Sequence, residues 1–197
     1  MIIISIFISI STAVVELFTA GEATVVFYSY AFVVPLIILI PHAARAVNRE
    51  LQERTTERWL LWMDRIVFGI VAINIPGSIY LHDAGIQYDR FVHFGGAFLL
   101  FFMLVLLYLS FYGEKTGGKK QRITALVLSF FLLFVGLFLW EVYQYTVDQI
   151  FGTQLFFDVA QSIQVDFWED IFFGLLGIST ALFYTSYSFR KFLSVLK

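Results

Sequence analysis

Apolar residues fill this chain in six long blocks, which are separated by short and more polar connections. A helix needs about 20 mostly apolar residues to cross a hydrocarbon core about 30 Å thick, because it rises about 1.5 Å per residue. The pattern predicts an all-α protein in which about six transmembrane helices form one integral membrane domain over residues 1–197. The predicted spans are about 2–20, 24–41, 59–82, 90–112, 122–150 and 167–189.

Polar residues in the connections indicate how the spans end. Pro41 is predicted to close the second span, and residues 113–122 form a loop rich in Gly and Lys. The stretch 42–58 contains no Gly or Pro, and Glu50 precedes Arg54 by about one helical turn. We therefore expect this second connection to continue as a helix along the membrane surface.

The basic residues lie in alternate connections, and this pattern predicts the orientation of the chain. The second connection, the fourth connection and the C-terminal tail contain 11 of the 13 Lys and Arg residues. Positively charged short loops stay on the cytoplasmic side of a membrane. The sequence thus predicts a plasma (inner) membrane protein with both termini in the cytoplasm. These basic residues are Arg45, Arg49, Arg54, Arg58, Lys115, Lys119, Lys120, Arg122, Arg190, Lys191 and Lys197.

The composition indicates that lipid, rather than water, surrounds most of the chain. Only 14% of the residues are charged, whereas an ordinary soluble domain has about 25%. The mean hydropathy is +0.81, and 24 Phe residues are more than a soluble core of this size can bury. The net charge of −2 gives no reason to expect nucleic acid, and the absence of cysteine excludes disulfides, thiolate metal sites and a cysteine nucleophile.

Ionisable side chains recur near the outer ends of the fourth and fifth spans. Asp89 begins the fourth span, and His93 follows it by about one helical turn on the same face. Glu141 comes 19 residues after Arg122, the first residue of the fifth span. The helical rise therefore puts Glu141 about 28 Å across the membrane, at the same outer depth as the first two residues.

The last span enters the membrane with a pair of acidic residues. Asp166 and Asp170 are about one helical turn apart, whereas Glu169 points to a different sector of the helix. Further along the span, small residues at helical spacing predict close packing against a neighbouring helix. These small residues are Gly174, Gly177 and Ala181.

Together, the ionisable residues predict a polar site that opens to the outer face. Arg90 is the only basic residue expected on that side, and an ionisable group within a span costs about 2.5–3.5 kcal/mol. A divalent cation or bound protons should therefore balance the charge. Carboxylates with one imidazole suit Mg²⁺, Mn²⁺, Fe²⁺ or Zn²⁺ about equally. The candidate metal ligands are Asp89, His93, Glu141, Asp166 and Asp170.

A metal at this depth would meet the headgroups of the outer leaflet. It could activate water or polarise a phosphoryl oxygen, with His93 or a spare carboxylate such as Glu141 as the catalytic general base. A phospholipid or polyprenyl-phosphate headgroup is within reach of such a site. The leading interpretation is thus a membrane protein that binds a divalent cation and acts on a lipid or cell-envelope precursor headgroup, with enzyme activity left open.

Other interpretations explain the same residues. The cluster could bind protons or cations in a coupled transporter, although only Asp64 and Arg65 continue a polar path towards the inner face. It could also be a structural network that bonds the helices of a membrane scaffold. Taken singly, Asp89 and Asp166 could cap helices, and His93 could be a satisfied core side chain.

Three motifs in the second half of the chain resemble the YjdF-like family of multispanning membrane proteins. The pattern is an Asp-x-x-x-His, a Trp-Glu and an Asp-x-x-x-Asp that is followed by two glycines. The residues that carry it are 88–96, 140–144 and 166–170, followed by Gly174 and Gly177. The resemblance covers about residues 88–177 and implies a polar site on the last three helices, without implying a reaction.

A more distant similarity is to VanZ-like proteins. These proteins have a comparable Asp-x-x-x-His, a Glu-x-x-Gln like that from Glu141 to Gln144, and a late Asp-x-x-x-Asn-x-x-Gly. Gly174 stands in this chain where Asn would be, so an amide of those proteins is missing. One VanZ-like branch is associated with glycopeptide resistance, which implies a role at the cell-envelope surface.

Overall fold

All regular secondary structure that the computed structural model describes is helical. The structure describes residues 2–20, 28–76, 88–112, 118–151 and 162–193. A π-helical turn, Ser29–Val33, leads into the second helix. The predicted all-α fold is confirmed. Within the described ranges the helices are α1 (Ile2–Ala20), α2 (Val34–Val47), α3 (Arg49–Arg54), α4 (Glu57–Pro76), α5 (Asp89–Tyr112), α6 (Lys119–Phe151) and α7 (Ile163–Leu193).

Four helical stretches in the described part of the chain are long and apolar enough to cross a membrane. They are Tyr30–Val47, Asp89–Tyr112, Lys119–Thr146 and Ile163–Ser188. The apolar stretch of α1, Ile2–Phe18, is shorter, and the first half of α4 carries four charged residues. Parts of the second and third predicted spans, 24–27 and 77–82, lie outside the described residues. The count of six spans therefore stays a prediction.

The second helix does not end where the sequence predicts. It continues through Pro41, which is buried, and ends at Val47. Proline removes one backbone hydrogen bond, but neighbouring groups compensate for such a loss in membrane helices. The break falls at Asn48, whose side chain accepts a hydrogen bond from the Leu51 backbone N–H at 3.0 Å and so begins α3. The expected surface helix is therefore divided into short segments.

Arginine side chains join the helices at the end of the bundle that contains α3. Arg54 forms an ion pair with Glu50 at 2.5 Å and also donates to the carbonyl oxygen of Phe111 on α5. Arg122 of α6 donates to the carbonyl oxygen of Ser186 on α7. These contacts oppose sliding of each helix along its neighbour, because a shift would leave the donor and the acceptor unpaired.

Helix α5 lies at the centre of the bundle. It packs against α4, α6 and α7, and its buried side chains Phe101 and Leu106 share one hydrophobic cluster with Trp59 of α4 and Ile178 of α7. α1 and α2 pack on α4 through a second cluster around Ile38. The three helices that carry the candidate site residues are therefore in direct contact, and α1 and α2 lie on the other side of α4.

Glycine lets α5 and α7 approach each other closely. A Cβ atom at Gly177 of α7 would overlap the carbonyl oxygen of Phe94 on α5, which is a backbone atom with little freedom to move. A Cβ atom at Gly174 would meet the Leu137 side chain of α6. The packing role predicted for these small residues is confirmed. The contact at Phe94 also sets the distance between α5 and α7 next to His93.

Candidate metal centre

The first turns of α5 and α7 meet the last part of α6 at one end of the bundle. Asp89 is the first residue of α5, and His93 follows one turn later because residues four apart share a helix face. Asp170 of α7 is 5% exposed, and Glu141 of α6 is 3% exposed. Because α6 runs antiparallel to α5 and α7, these four side chains lie at the same depth.

Two carboxylates face the Nε2 edge of the His93 ring. The distance from Nε2 is 3.5 Å to Oδ1 of Asp89 and 3.5 Å to Oδ2 of Asp170. One potential ligand atom from each of the three residues lies within 4.8 Å of the other two. Ligand atoms that are each about 2.0–2.6 Å from one ion are separated from one another by distances of this size. The three potential ligand atoms are therefore close enough together to hold a metal ion.

Glu141 lies at the opposite edge of the imidazole ring. Its Oε1 atom is 3.4 Å from Nδ1 of His93. This oxygen is buried and has no hydrogen-bond partner among the described residues. A buried carboxylate oxygen without a donor is costly, because it loses its hydration without replacement. The structure therefore brings Glu141 into the cluster but separates it from the carboxylates at the Nε2 edge.

Asp166 lies at the rim of the cluster, one turn before Asp170. It is half-buried and does not belong to the group of three potential ligand atoms. The cap of α7 is formed by Ser162, whose Oγ accepts a hydrogen bond from the Val165 backbone N–H at 3.4 Å. The alternative that Asp166 caps this helix is therefore wrong, because α7 begins at Ile163, three residues earlier than Asp166.

Arg90 binds a different carboxylate from those of the cluster. Its Nη2 donates to Oε1 and Oε2 of Glu169 at 2.8 and 2.7 Å, and its Nε donates to Oε2 at 3.1 Å. The guanidinium also lies over the Phe173 ring, 5.5 Å from its centroid. Glu169 does point away from the site, as predicted. Arg90 therefore neutralises Glu169 and not Asp89 or Asp170.

A second ionic contact lies in the other half of the bundle. Nε2 of His42 on α2 is 2.8 Å from Oδ1 of Asp64 on α4. The sequence indicated that Asp64 is a polar residue near the inner face, but it did not indicate that His42 is its partner. The imidazole and the carboxylate are 22 positions apart, and no local periodicity relates them.

The pair Arg90 and Glu169 was also missed by sequence reasoning, although a signal for it exists. Arg90 is adjacent to Asp89, and Glu169 is adjacent to Asp170. Neighbours on a helix differ by about 100° around its axis, so both residues lie beside the cluster at the same depth. Opposite charges at matching positions on two packed helices are expected to pair.

Comparison with known proteins identifies a family. No curated protein and no solved structure shows significant similarity to this chain. The model of the family described as "Predicted membrane protein (DUF2238)" matches residues 1–191, including the helices before residue 88 that the YjdF-like resemblance did not cover. The match agrees in outline with that resemblance, and the similarity to VanZ-like proteins stays a prediction. Because the match spans nearly the whole sequence, the chain belongs to this family of membrane proteins.

Proposed function

We propose that this chain is a plasma-membrane protein of six spans, with both termini in the cytoplasm, that binds a divalent cation at its outer face. The observation that carries the proposal is the approach of His93 Nε2 to a carboxylate oxygen of Asp89 and of Asp170, at 3.5 Å in both cases. The clustering of Lys and Arg in alternate connections supports the orientation. The site then opens towards the outer leaflet.

Three protein ligands leave coordination positions open for a substrate. The carboxylates of Asp89 and Asp170 suit hard cations, and the imidazole of His93 extends the range from Mg²⁺ to Mn²⁺, Fe²⁺ and Zn²⁺. A cation held by Asp89, His93 and Asp170 would polarise a phosphoryl oxygen or activate a water molecule. We therefore infer that the substrates are phosphate-bearing headgroups of lipids or of cell-envelope precursors.

Glu141 acts through His93 in this proposal. Its Oε1 faces the Nδ1 edge of the ring at 3.4 Å. If Nδ1–H donates a hydrogen bond to this carboxylate when a metal is bound, the lone pair on Nε2 would be directed at the metal and the orientation of the ring would be held. Asp89 and Asp170 thus bind the ion directly, whereas Glu141 is a positioning residue.

The charge balance of the cluster supports a cation. Burial of a carboxylate costs several kcal/mol unless a partner compensates for the lost hydration. The guanidinium of Arg90, the residue that follows Asp89, is bound to Glu169. A divalent cation between Asp89 and Asp170 would offset both of their negative charges.

Titration of the purified protein with metal tests the proposal. After treatment with a chelator, the wild-type protein in detergent is expected to bind one Mn²⁺ or Zn²⁺ ion per chain, as measured by calorimetry and metal analysis. The Asp64→Asn variant is the matched control, because Asp64 also pairs with a histidine but lies in the other half of the bundle. It should bind the metal normally. Folded wild-type protein without affinity for any divalent cation would contradict the proposal.

The Glu141→Gln variant tests the positioning role. The amide oxygen of Gln could accept a hydrogen bond from Nδ1 but lacks the negative charge, so metal binding is expected to weaken about 10- to 100-fold. The measurement is the same calorimetric titration, with Glu141→Asp as the variant that retains the charge. Complete loss of binding would instead make Glu141 a direct ligand, and unchanged affinity would remove it from the site.

A proton- or cation-coupled transporter is the alternative function. The observation that favours it is the contact of His42 with Asp64, at 2.8 Å, in the half of the bundle away from the cluster. Ionisable groups at two depths are typical of ion paths in transporters. This alternative predicts flux into liposomes that disappears in both Asp64→Asn and Glu141→Gln. If the protein binds metal but liposomes that contain it show no flux, the transporter function is excluded.

A further inference from the structure

A cleft lies on the faces of α6 and α7 beside the cluster. Its volume is about 890 Å³, which is within the range of small-molecule sites. Arg90, Gln164 and Glu169 form the polar part of its lining, and Val142 and Val165 belong to its apolar part. The aromatic residues that line it are Tyr145, Phe167, Trp168, Phe172 and Phe173.

The cleft and the candidate metal centre lie at the same depth. Arg90 follows Asp89 in sequence, and Glu169 precedes Asp170. Adjacent residues are separated by only about 1.5 Å along a helix axis. A molecule in the cleft would therefore have its polar group at the level of the carboxylates.

Arg90 gives the cleft a hydrogen-bond donor for an anionic group. Two of its three guanidinium nitrogens, Nε and Nη2, bind Glu169. The third, Nη1, has no hydrogen-bond partner among the described residues, and the side chain is partly exposed. An arginine that lines a membrane cleft and has an N–H group to donate is suited to a phosphate oxygen.

The walls of the cleft are suited to hydrocarbon. Trp168 and Phe172 are both exposed and lie within a helix that is apolar enough to span a membrane. Exposure of such a surface to water is unfavourable, whereas a lipid chain packs against aromatic rings without losing hydrogen bonds. A polar donor at one side and aromatic walls along the rest match an amphiphile with an anionic head.

We propose that this cleft binds an anionic, phosphate-bearing lipid of the surrounding leaflet. The phosphate accepts a hydrogen bond from Nη1 of Arg90, and the chain lies along Trp168 and Phe172. The inference rests on the proposed function, because the lipid phosphate would lie at the depth of Asp89 and Asp170. The cleft would thus hold the headgroup class that we propose as substrate next to the helices that form the metal centre.

Fluorescence quenching by brominated lipids tests the proposal. The full-length protein is reconstituted in phosphatidylcholine vesicles that contain a minor fraction of either brominated phosphatidic acid or brominated phosphatidylcholine. The signal of Trp168 is taken as the difference between the wild-type protein and the Trp168→Phe variant. We expect the phosphatidic acid to quench this signal at a concentration at least about threefold lower, because of its charge-assisted bond to Arg90.

Two variants separate lipid binding from helix tethering. Arg90→Gln and Glu169→Gln both break the ion pair between α5 and α7. Only the first removes the donor to the phosphate, so the headgroup preference should disappear in Arg90→Gln and persist in Glu169→Gln. Loss of the preference in both variants would indicate tethering alone and would overturn the proposal. Arg65→Gln, a change in the other half of the bundle, should leave the preference unchanged.

The remaining outcomes also decide the proposal. Equal quenching by the two brominated lipids would mean that the cleft holds ordinary bilayer lipid, and competition by inorganic phosphate would mean that it binds free phosphate. Either result would overturn the proposal. The measurements are made with a chelator present, so they do not depend on the metal. Loss of lipid preference with intact metal binding rejects only this inference. The reverse result rejects the metal centre, and with it the substrate role of the lipid, but leaves the lipid site in the cleft.

Discussion

Replacing Asp170 with Asn is expected to abolish stoichiometric binding of a divalent cation. Oδ2 of Asp170 is 3.5 Å from Nε2 of His93, and the side chain is almost fully buried. Removal of a residue that only hydrogen-bonds a metal ligand already weakens metal sites about 10- to 100-fold, so loss of a charged direct ligand should weaken binding more than about 100-fold. Calorimetry and metal analysis measure the effect, and Asp89→Asn and His93→Ala should behave alike.

The same variant distinguishes a metal centre from a structural network. With a chelator present, Asp170→Asn should unfold at a temperature equal to or above that of the wild-type protein, because one acidic group of a crowded, buried cluster is replaced by a neutral amide of the same size. A metal at 100 times its dissociation constant should stabilise the wild-type protein by about 2.7 kcal/mol and the variant not at all. If the variant is less stable than the wild-type protein without metal, the carboxylate is needed for the bonds between the helices, as the scaffold interpretation predicts.

Replacing Gly177 with Ala is expected to destabilise the bundle more than alanine at any other glycine of the described helices. The new Cβ would overlap the carbonyl oxygen of Phe94, and backbone atoms can move only if α5 and α7 separate. Overpacking of this kind costs about 1–3 kcal/mol. Because His93 adjoins Phe94, the shift should also weaken metal binding. Thermal unfolding in detergent and calorimetric titration measure the two effects.

Gly96→Ala and Gly136→Ala are the matched controls for this prediction. Both glycines are helical, and a Cβ atom at either position has no neighbouring atom of the described residues within 4 Å. Alanine favours a helix over glycine by about 0.8–1.0 kcal/mol, so these variants should be as stable as the wild-type protein or slightly more stable. If Gly177→Ala behaves as the controls do, the two helices are not in the close contact that carries the site.

The sequence by itself determined the helices and the local pairing along each of them. The length of an apolar block decides whether a helix spans a bilayer, and the helical period decides that Asp89 and His93 share a face. Both depend only on residues that are close together in the chain. For the same reason, the sequence predicted that Glu169 turns away from Asp170. The prediction that the second helix ends at Pro41 was wrong, because the surroundings that compensate for the missing hydrogen bond cannot be seen in the sequence.

Only the tertiary structure decided which atoms of the candidate site face one another. The sequence grouped five ligands without distinction, whereas the structure assigns Asp170 to the Nε2 edge of His93 and Glu141 to the Nδ1 edge. The edge that each carboxylate meets depends on the rotation of every helix about its axis. That rotation is set by contacts between distant residues, such as Gly177 against Phe94, and the period of a single helix contains no information about it.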